Sequence, residues 1–156
     1  MVKKKKIGKN QSAILNRRAS FDYALGEDLI VGMELTGPEV RSARDGHIQL
    51  KGSFVTTRDE QLWLNNASFT LRLNEKGVSN ARTVDTRARR LLATKKQIQD
   101  FMASKQSGMS IVPLKLLNRG KYIKLVIAVG KGKKHYDKRE TLKRRDQERE
   151  SQRAMK

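Results

Sequence analysis

The chain has 156 residues, about the size of one domain with tails, and 35 lysines and arginines against 16 acids give it a formal net charge of +19. It contains no cysteine, which excludes disulfides, thiolate zinc sites and cysteine nucleophiles and fits a reducing cytoplasm. No apolar run approaches the ~20 residues of a membrane-spanning helix, and the lysine-rich start has the charge of an export signal without the apolar stretch that must follow it.

The charge sits mainly at the two ends. Residues 1–18 carry seven basic side chains (Lys3, Lys4, Lys5, Lys6, Lys9, Arg17 and Arg18) and no acid, while residues 131–156 carry eleven basic and five acidic ones. The stretch between holds 17 basic and 11 acidic residues, a nearly ordinary balance. Basic arms on such a body suit a polyanion, because each phosphate they neutralise releases condensed counterions. An anionic membrane is the competing partner. It favours an amphipathic helix with large apolar residues along one side, and neither arm has one.

The first dozen residues hold too few apolar groups to offset the entropy of ordering and are expected to be disordered. Asn16-Arg17-Arg18 then leads into Phe21 and Tyr23, aromatics suited to docking this segment on the body while the arginines reach phosphate. Residues 29–36 are rich in strand formers and stop at Gly37-Pro38. Residues 38–46 read as a short helix, with Pro at its start and Gly just past its end. Ile48, Leu50, Phe54 and Val55 mark a second strand region with Gly52 as a candidate bulge. Leu62-Trp63-Leu64 forms a third run, and Phe69, Leu71 and Leu73 alternate as a fourth. After Arg89-Arg90-Leu91-Leu92, Thr94 and Gln97 make a capping-box pattern ahead of Ile98, Phe101 and Met102, an apolar stripe at helical spacing. Residues 111–117 and 122–129 flank Asn118-Arg119-Gly120, which reads as a three-residue hairpin connection with Gly for the left-handed position. Many short strands with two or three small helices predict a mainly β fold, a small closed or partly open antiparallel barrel of the oligonucleotide-binding kind among others.

No constellation spells out catalysis. His47 reads as a surface or boundary residue, His135 lies in a basic run, and neither belongs to a triad or a metal-ligating spacing. The carboxylates are scattered. The Gly-Lys run at 130–134 follows a strand and lacks the Ser or Thr of a phosphate loop. The expectation is a protein that is not an enzyme, with no cofactor and no metal.

The binding segments are clearer. In residues 130–139 (GKGKKHYDKR) the glycines allow backbone to approach phosphate, Lys131, Lys133, Lys134, Lys138 and Arg139 supply charge, and His135 and Tyr136 offer rings for stacking on bases. A strand ending in a solvated loop is the plainer alternative. Residues 140–156 lack Gly and Pro, and pairs such as Glu140 with Lys143 or Arg144 and Glu150 with Arg153 favour helix. Leu142, Ala154 and Met155 are their only apolar residues, so this helix has no face to bury, is marginal alone and is expected to fold on a partner. An inert solubilising tail is the alternative. Arg41 and Arg44 on the first predicted helix, with Glu39, form another candidate polar contact surface, which a solvated helix face explains nearly as well.

In order and spacing the chain resembles the SsrA-binding proteins (small protein B), the bacterial partners of transfer-messenger RNA. The matching segments are Asn16-Arg17-Arg18-Ala19, residues 35–42 (LTGPEVRS), Arg89-Arg90-Leu91-Leu92, Val112-Pro113-Leu114, Gly132-Lys133-Lys134 and Asp137-Lys138-Arg139, over about residues 10–150. The resemblance implies a disordered basic arm over 1–12, an RNA-binding barrel of the oligonucleotide-binding type over 13–134, and a basic tail over 135–156. It implies binding to the tRNA-like end of transfer-messenger RNA and delivery to ribosomes stalled without a stop codon, where the nascent chain is tagged for degradation. The tail is then disordered in solution and helical in the empty mRNA channel beside the decoding centre. Elongation factor Tu becomes an indirect partner through the RNA, and the protein is a cytoplasmic monomer. A generic ribosomal or rRNA-binding barrel is the alternative.

Carried over by position, Asn16, Arg17, Glu39, Gly132, Lys133 and Lys134 belong to the family's RNA-binding surface, to which Arg18, Arg41 and Lys131 add charge. Tyr136 stands where some relatives have a histidine thought to stack on a ribosomal base; a tyrosine can stack but does not become cationic near neutral pH. Asp137, Lys138 and Arg139 match a tail motif required for tagging rather than RNA binding, and Lys143, Arg144 and Arg145 extend the ribosome-facing set. The chain departs from the family at Ile30, where Glu is usual, at Thr94, where His or Asn is common, and over 67–71, where a His-Ile-x-Pro-Tyr segment is replaced.

Overall fold

The computed structural model describes residues 13–72 and 82–155, so the expected disordered arm and Leu73 lie outside the described residues. In chain order the elements are β1 (Ile14–Leu15), α1 (Arg17–Asp22), β2 (Tyr23–Met33), α2 (Gly37–Arg44), β3 (Ile48–Gln49), β4 (Phe54–Arg58), β5 (Gln61–Asn65), β6 (Ser68–Arg72), β7 (Arg82–Asp85), β8 (Arg89–Leu92), α3 (Lys95–Ser104), β9 (Met109–Arg119), β10 (Tyr122–Gly132) and α4 (His135–Ala154). The fold is mainly β, as expected. None of the described helices is long and apolar enough to cross a membrane.

All strand pairings are antiparallel. Seven strands run in the order β1-β9-β10-β2-β8-β5-β4, and one further pairing, Val55 with Ile111, joins β4 back to β9. A smaller sheet, β3-β6-β7, lies apart from this order. The strand β10 has partners on both sides, β9 and β2, which explains its apolar run: Leu125, Val126, Ile127, Ala128 and Val129 are all buried. Inside, Val31, Leu62, Leu64, Leu91, Ile111 and Leu125 meet Ile98 and Phe101 of α3 and Ala43 of α2. Helix α3 starts as its capping box predicts, with the Gln97 N–H donating to the Thr94 hydroxyl at 3.3 Å and the Thr94 N–H to the Gln97 side chain at 3.0 Å.

Pro113 is buried within β9, a place where proline normally breaks a ladder. The register explains it: Val126 pairs with Lys115 and Ile127 with Pro113, so Leu114 is left over as a bulge. The carbonyls freed there are taken by Asn16, whose N–H donates to the Leu114 oxygen at 2.8 Å and whose side-chain amide donates to the Pro113 oxygen at 2.8 Å.

Several local expectations are corrected. The second strand region is two strands, β3 and β4, in different sheets. Gly52 sits in the turn between them with φ +75°, not in a bulge. The β9–β10 hairpin has a two-residue connection, since Arg119 pairs with Tyr122, and Gly120 at φ +62° takes its first position. The β4–β5 turn uses Asp59 and Glu60, at φ 49° and 57°, where no glycine signals it. Helix α1 and strands β1, β7 and β8 were not anticipated.

Candidate nucleic-acid interface

The candidate interface lies where the chain enters and leaves the large sheet. Asn16 precedes α1, but its side chain does not cap that helix. It is spent on the carbonyls of Pro113 and Leu50, at 2.8 and 3.1 Å, and so pins the start of α1 to β9 and the β3–β4 turn. That anchoring leaves Arg17 and Arg18 exposed on α1. The end of β10 then runs beside the start of β2, with Lys131 opposite Ala24 and Gly132 opposite Tyr23. From there the Lys133 N–H donates to the Asp22 carbonyl at 2.8 Å and its ammonium to the Ser20 carbonyl at 3.1 Å. Two segments over a hundred residues apart in sequence thus form one cationic corner of Arg17, Arg18, Lys131, Lys133 and Lys134. A cleft of about 640 Å³, lined by Asn16, Arg18, Tyr23, Phe54 and Lys105 among others, opens beside it.

The two glycines of this run do different work. A Cβ on Gly132 would meet nothing within 4 Å, so its backbone is open to a ligand. A Cβ on Gly130 would lie 3.0 Å from the Tyr23 Cβ, so Gly130 serves the packing of β10 on β2 and not the approach of phosphate.

Glu39 is the main correction among the site residues. It was expected beside Arg41 and Arg44 on a polar surface, and it is 1% exposed. Its carboxylate accepts from the Thr36 N–H at 2.8 Å, from Arg87 at 2.9 and 2.7 Å, and from the fully buried Arg89 at 2.9 Å. Arg89 also donates to the carbonyls of Ala67, Arg87 and Asp85, and its guanidinium lies 3.7 Å from the centre of the Phe69 ring. Burial pushes the Glu39 carboxyl upward, but the Arg87 and Thr36 hydrogen bonds and the two guanidinium charges outweigh it and hold the group below its ordinary range. For Arg89 burial wins over its acidic partners and the guanidinium is lowered, while the Glu39 hydrogen bond raises Arg87. Arg41 is exposed. Arg44 reaches the Gly120 and Lys121 carbonyls at 3.5 and 3.4 Å, so α2 sits at the hairpin tip, the far end of β10 from the cationic corner.

The tail forms α4, a helix of 20 residues with none buried. Asp137 fixes its start: the Lys134 N–H donates to the Asp137 carboxylate at 3.2 Å, which also places a negative charge in the first turn. The helix is laced by Arg144–Glu148 and Asp146–Arg149 at 3.9 Å, not by the pairs expected from spacing. Two side chains reach back to α1. The Lys138 ammonium is 3.1 Å from the Asp22 carboxylate, and the Arg145 guanidinium lies 5.8 Å from the Phe21 ring centre. His135, Tyr136, Arg139, Lys143 and Arg144 are exposed. Of the departures, Ile30 is 53% exposed on β2, and Thr94 is consumed as the cap of α3.

Sequence reasoning missed Asp22, Arg87 and the internal role of Glu39. The acid in Phe21-Asp22-Tyr23 gave no signal beyond its lying between two docking aromatics. Among the described residues no group of three or more His, Asp or Glu could hold a metal ion.

A β scaffold with a cationic corner and a long cationic helix defines a nucleic-acid-binding protein. The comparisons refine that class. The family model for "SmpB protein" matches residues 13–156. An "SsrA-binding protein" of Oenococcus oeni is 44% identical over 138 residues, 86% of each chain. One of Lacticaseibacillus casei is 38% identical over 159 residues, spanning 100% of this chain and 98% of the relative. One of Streptococcus pneumoniae is 39% identical over 150 residues, 96% and 95% of the two chains. A solved structure described as "tmRNA-SmpB: a journey to the center of the bacterial ribosome" matches with a TM-score of 0.61 and 34% identity, over 79% of this chain and 85% of that one. The chain belongs to the SmpB family of SsrA-binding proteins.

Proposed function

We propose that this protein binds the tRNA-like end of transfer-messenger RNA and delivers it to stalled ribosomes, so that the nascent chain is tagged and the ribosome released. The observation that carries this reading is the meeting of Asn16-Arg17-Arg18 with Lys131–Lys134 at one corner, through the Lys133 bonds to Ser20 and Asp22. Phosphate contacts of this kind give affinity and register on an RNA. Arg17, Arg18, Lys131, Gly132, Lys133 and Lys134 make those contacts, with Asn16 as their anchor. Arg41 adds a second, separate contact. Glu39 acts indirectly, by fixing Arg87, which is 44% exposed.

The strand circuit β9-β10-β2-β8-β5-β4 supports a small barrel of the oligonucleotide-binding type as the scaffold over 13–134. The basic arm over 1–12 adds non-specific attraction. The tail over 135–156 is the ribosome-facing part, through Tyr136, Asp137, Arg139, Lys143, Arg144 and Arg145, and it occupies the mRNA channel by the decoding centre. The protein works as a cytoplasmic monomer, without catalysis, and meets elongation factor Tu only through the RNA.

The test is a titration of fluorescent tRNA-like domain against protein at several salt concentrations, with an unrelated RNA hairpin of equal length as control. Nanomolar-range binding to the tRNA-like domain, weakening steeply with salt, and much weaker binding to the hairpin are expected. Equal affinity for both would leave a generic rRNA-binding barrel as the better account.

A further inference from the structure

We propose that the end of α1 is a bracket that aims the tail helix, and that Lys138 works by pairing with Asp22 inside the protein rather than by touching the ribosome. The proposal rests on the functional reading above and assigns a partner to one residue of its tail motif.

The contacts converge on one short stretch. Asp22 accepts two cations, Arg18 at 3.6 Å and Lys138 at 3.1 Å, with only 28% of its own side chain and 31% of that of Lys138 exposed. The neighbouring ring of Phe21 faces Arg145, two turns further along α4. The backbone carbonyls of Ser20 and Asp22 hold Lys133, directly before α4. The end of α1 therefore grips the tail root, its first turn and its third.

Lys138 and Arg145 are seven residues apart, two turns of helix, so both project from one side of α4. Tyr136, Arg139 and Lys143 remain exposed for an external partner. The other ion pairs of α4 among the described residues, Arg144–Glu148 and Asp146–Arg149, are internal to the helix. A helix with no buried residue has nothing of its own to set its direction. The α1 bracket supplies that direction, and it ties it to Arg17 and Arg18, the helix's RNA-facing cations. Asp22 and Lys138 are accordingly positioning residues: they link the RNA-gripping corner to the orientation of the tail.

The test is charge exchange. Asp22→Lys and Lys138→Asp, alone and together, are compared in a reconstituted tagging reaction on stalled ribosomes at saturating transfer-messenger RNA, where differences in RNA affinity drop out. Each single change should reduce tagging at least tenfold, and the double change should recover most of it. Continued loss in the double variant, with the unaltered protein active, would overturn the proposal, since a lysine that touched rRNA could not be replaced by an acid. An unaltered protein that neither binds the RNA nor supports tagging would instead defeat the functional reading. Because Asp22→Lys could unfold α1, a second arm uses the absence of native cysteines: Asp22→Cys with Lys138→Cys is bridged by a short bis-maleimide. The bridged protein should still tag. A bridged protein that binds the RNA but does not tag would show that the contact must open, and would equally overturn the proposal.

Discussion

Glu39 shows how one buried charge organises its surroundings. It answers Arg89, which is fully buried, and Arg87, which is not, so removing it leaves the core guanidinium only the longer pair with Asp85 at 3.5 Å. Glu39→Ala should cost about 3–5 kcal/mol of stability, the usual consequence of breaking a buried pair from one side, measured by urea unfolding. Because the folded carboxyl is held below its ordinary value of 4.5, its contribution is complete above that pH and is lost as pH falls through the lower folded value. The unaltered protein should therefore lose stability in acid, and Glu39→Gln should lack that part of the loss; parallel pH profiles would contradict the assignment. Asn16 offers a second case. Asn16→Ala leaves the Pro113 and Leu50 carbonyls without their donor, at about 1–3 kcal/mol. It should also weaken RNA binding without removing a charge, because α1 loses its anchor. An unchanged affinity would mean that Arg17 and Arg18 do not depend on that anchor.

At the scale of elements, some signals could be read directly and others could not, for identifiable reasons. Helix α3 was legible because Thr94 and Gln97 write its start and Ile98 and Phe101 its buried face. The β9–β10 pair was legible from its long apolar runs, though the loop was read one residue too long. Strand β8 was hidden because its inward positions are Arg89 and Leu91, and an arginine on the core face destroys the alternation that marks a strand. Strand β7 carries the polar pattern of an edge, and α1 is too short to show a period. The β4–β5 turn was hidden because Asp59 and Glu60 hold positive φ without glycine. Glycine matters elsewhere: Gly130→Ala would press a methyl against the Tyr23 Cβ, next to the place where β2 bulges against β10. That overpacking should cost about 1–3 kcal/mol, read as a lowered melting temperature, while Gly132→Ala, which meets nothing, should leave stability unchanged.

On the proposed reading the molecule divides its labour along the chain, and the concentration of charge at the two ends is what suggests that division. What charge could not tell was which cations lie together: Arg44 reaches the hairpin tip, whereas Lys133 closes on α1 at the opposite end of β10. The division makes a definite prediction for a protein ending at Arg139. Among the described residues the removed part contributes no buried side chain, and Arg145 links it to the body through the half-buried Phe21 ring, a cation–π pair worth about 0.5–1 kcal/mol. For a chain of this length such a loss corresponds to a fall in melting temperature of only about 1–4 °C. The corner of Arg17, Arg18, Lys131, Lys133 and Lys134 stays whole, and residues 140–156 hold six basic side chains against four acidic ones, a small net charge. Affinity for the tRNA-like domain and its slope against salt should therefore barely move, since that slope counts phosphates neutralised. Tagging should vanish, because the helix proposed to enter the channel is gone. A fall of ten degrees or more, or a clearly shallower salt slope, would show that the tail is part of the folded body or of its grip on the RNA, and the two-part design would have to be abandoned.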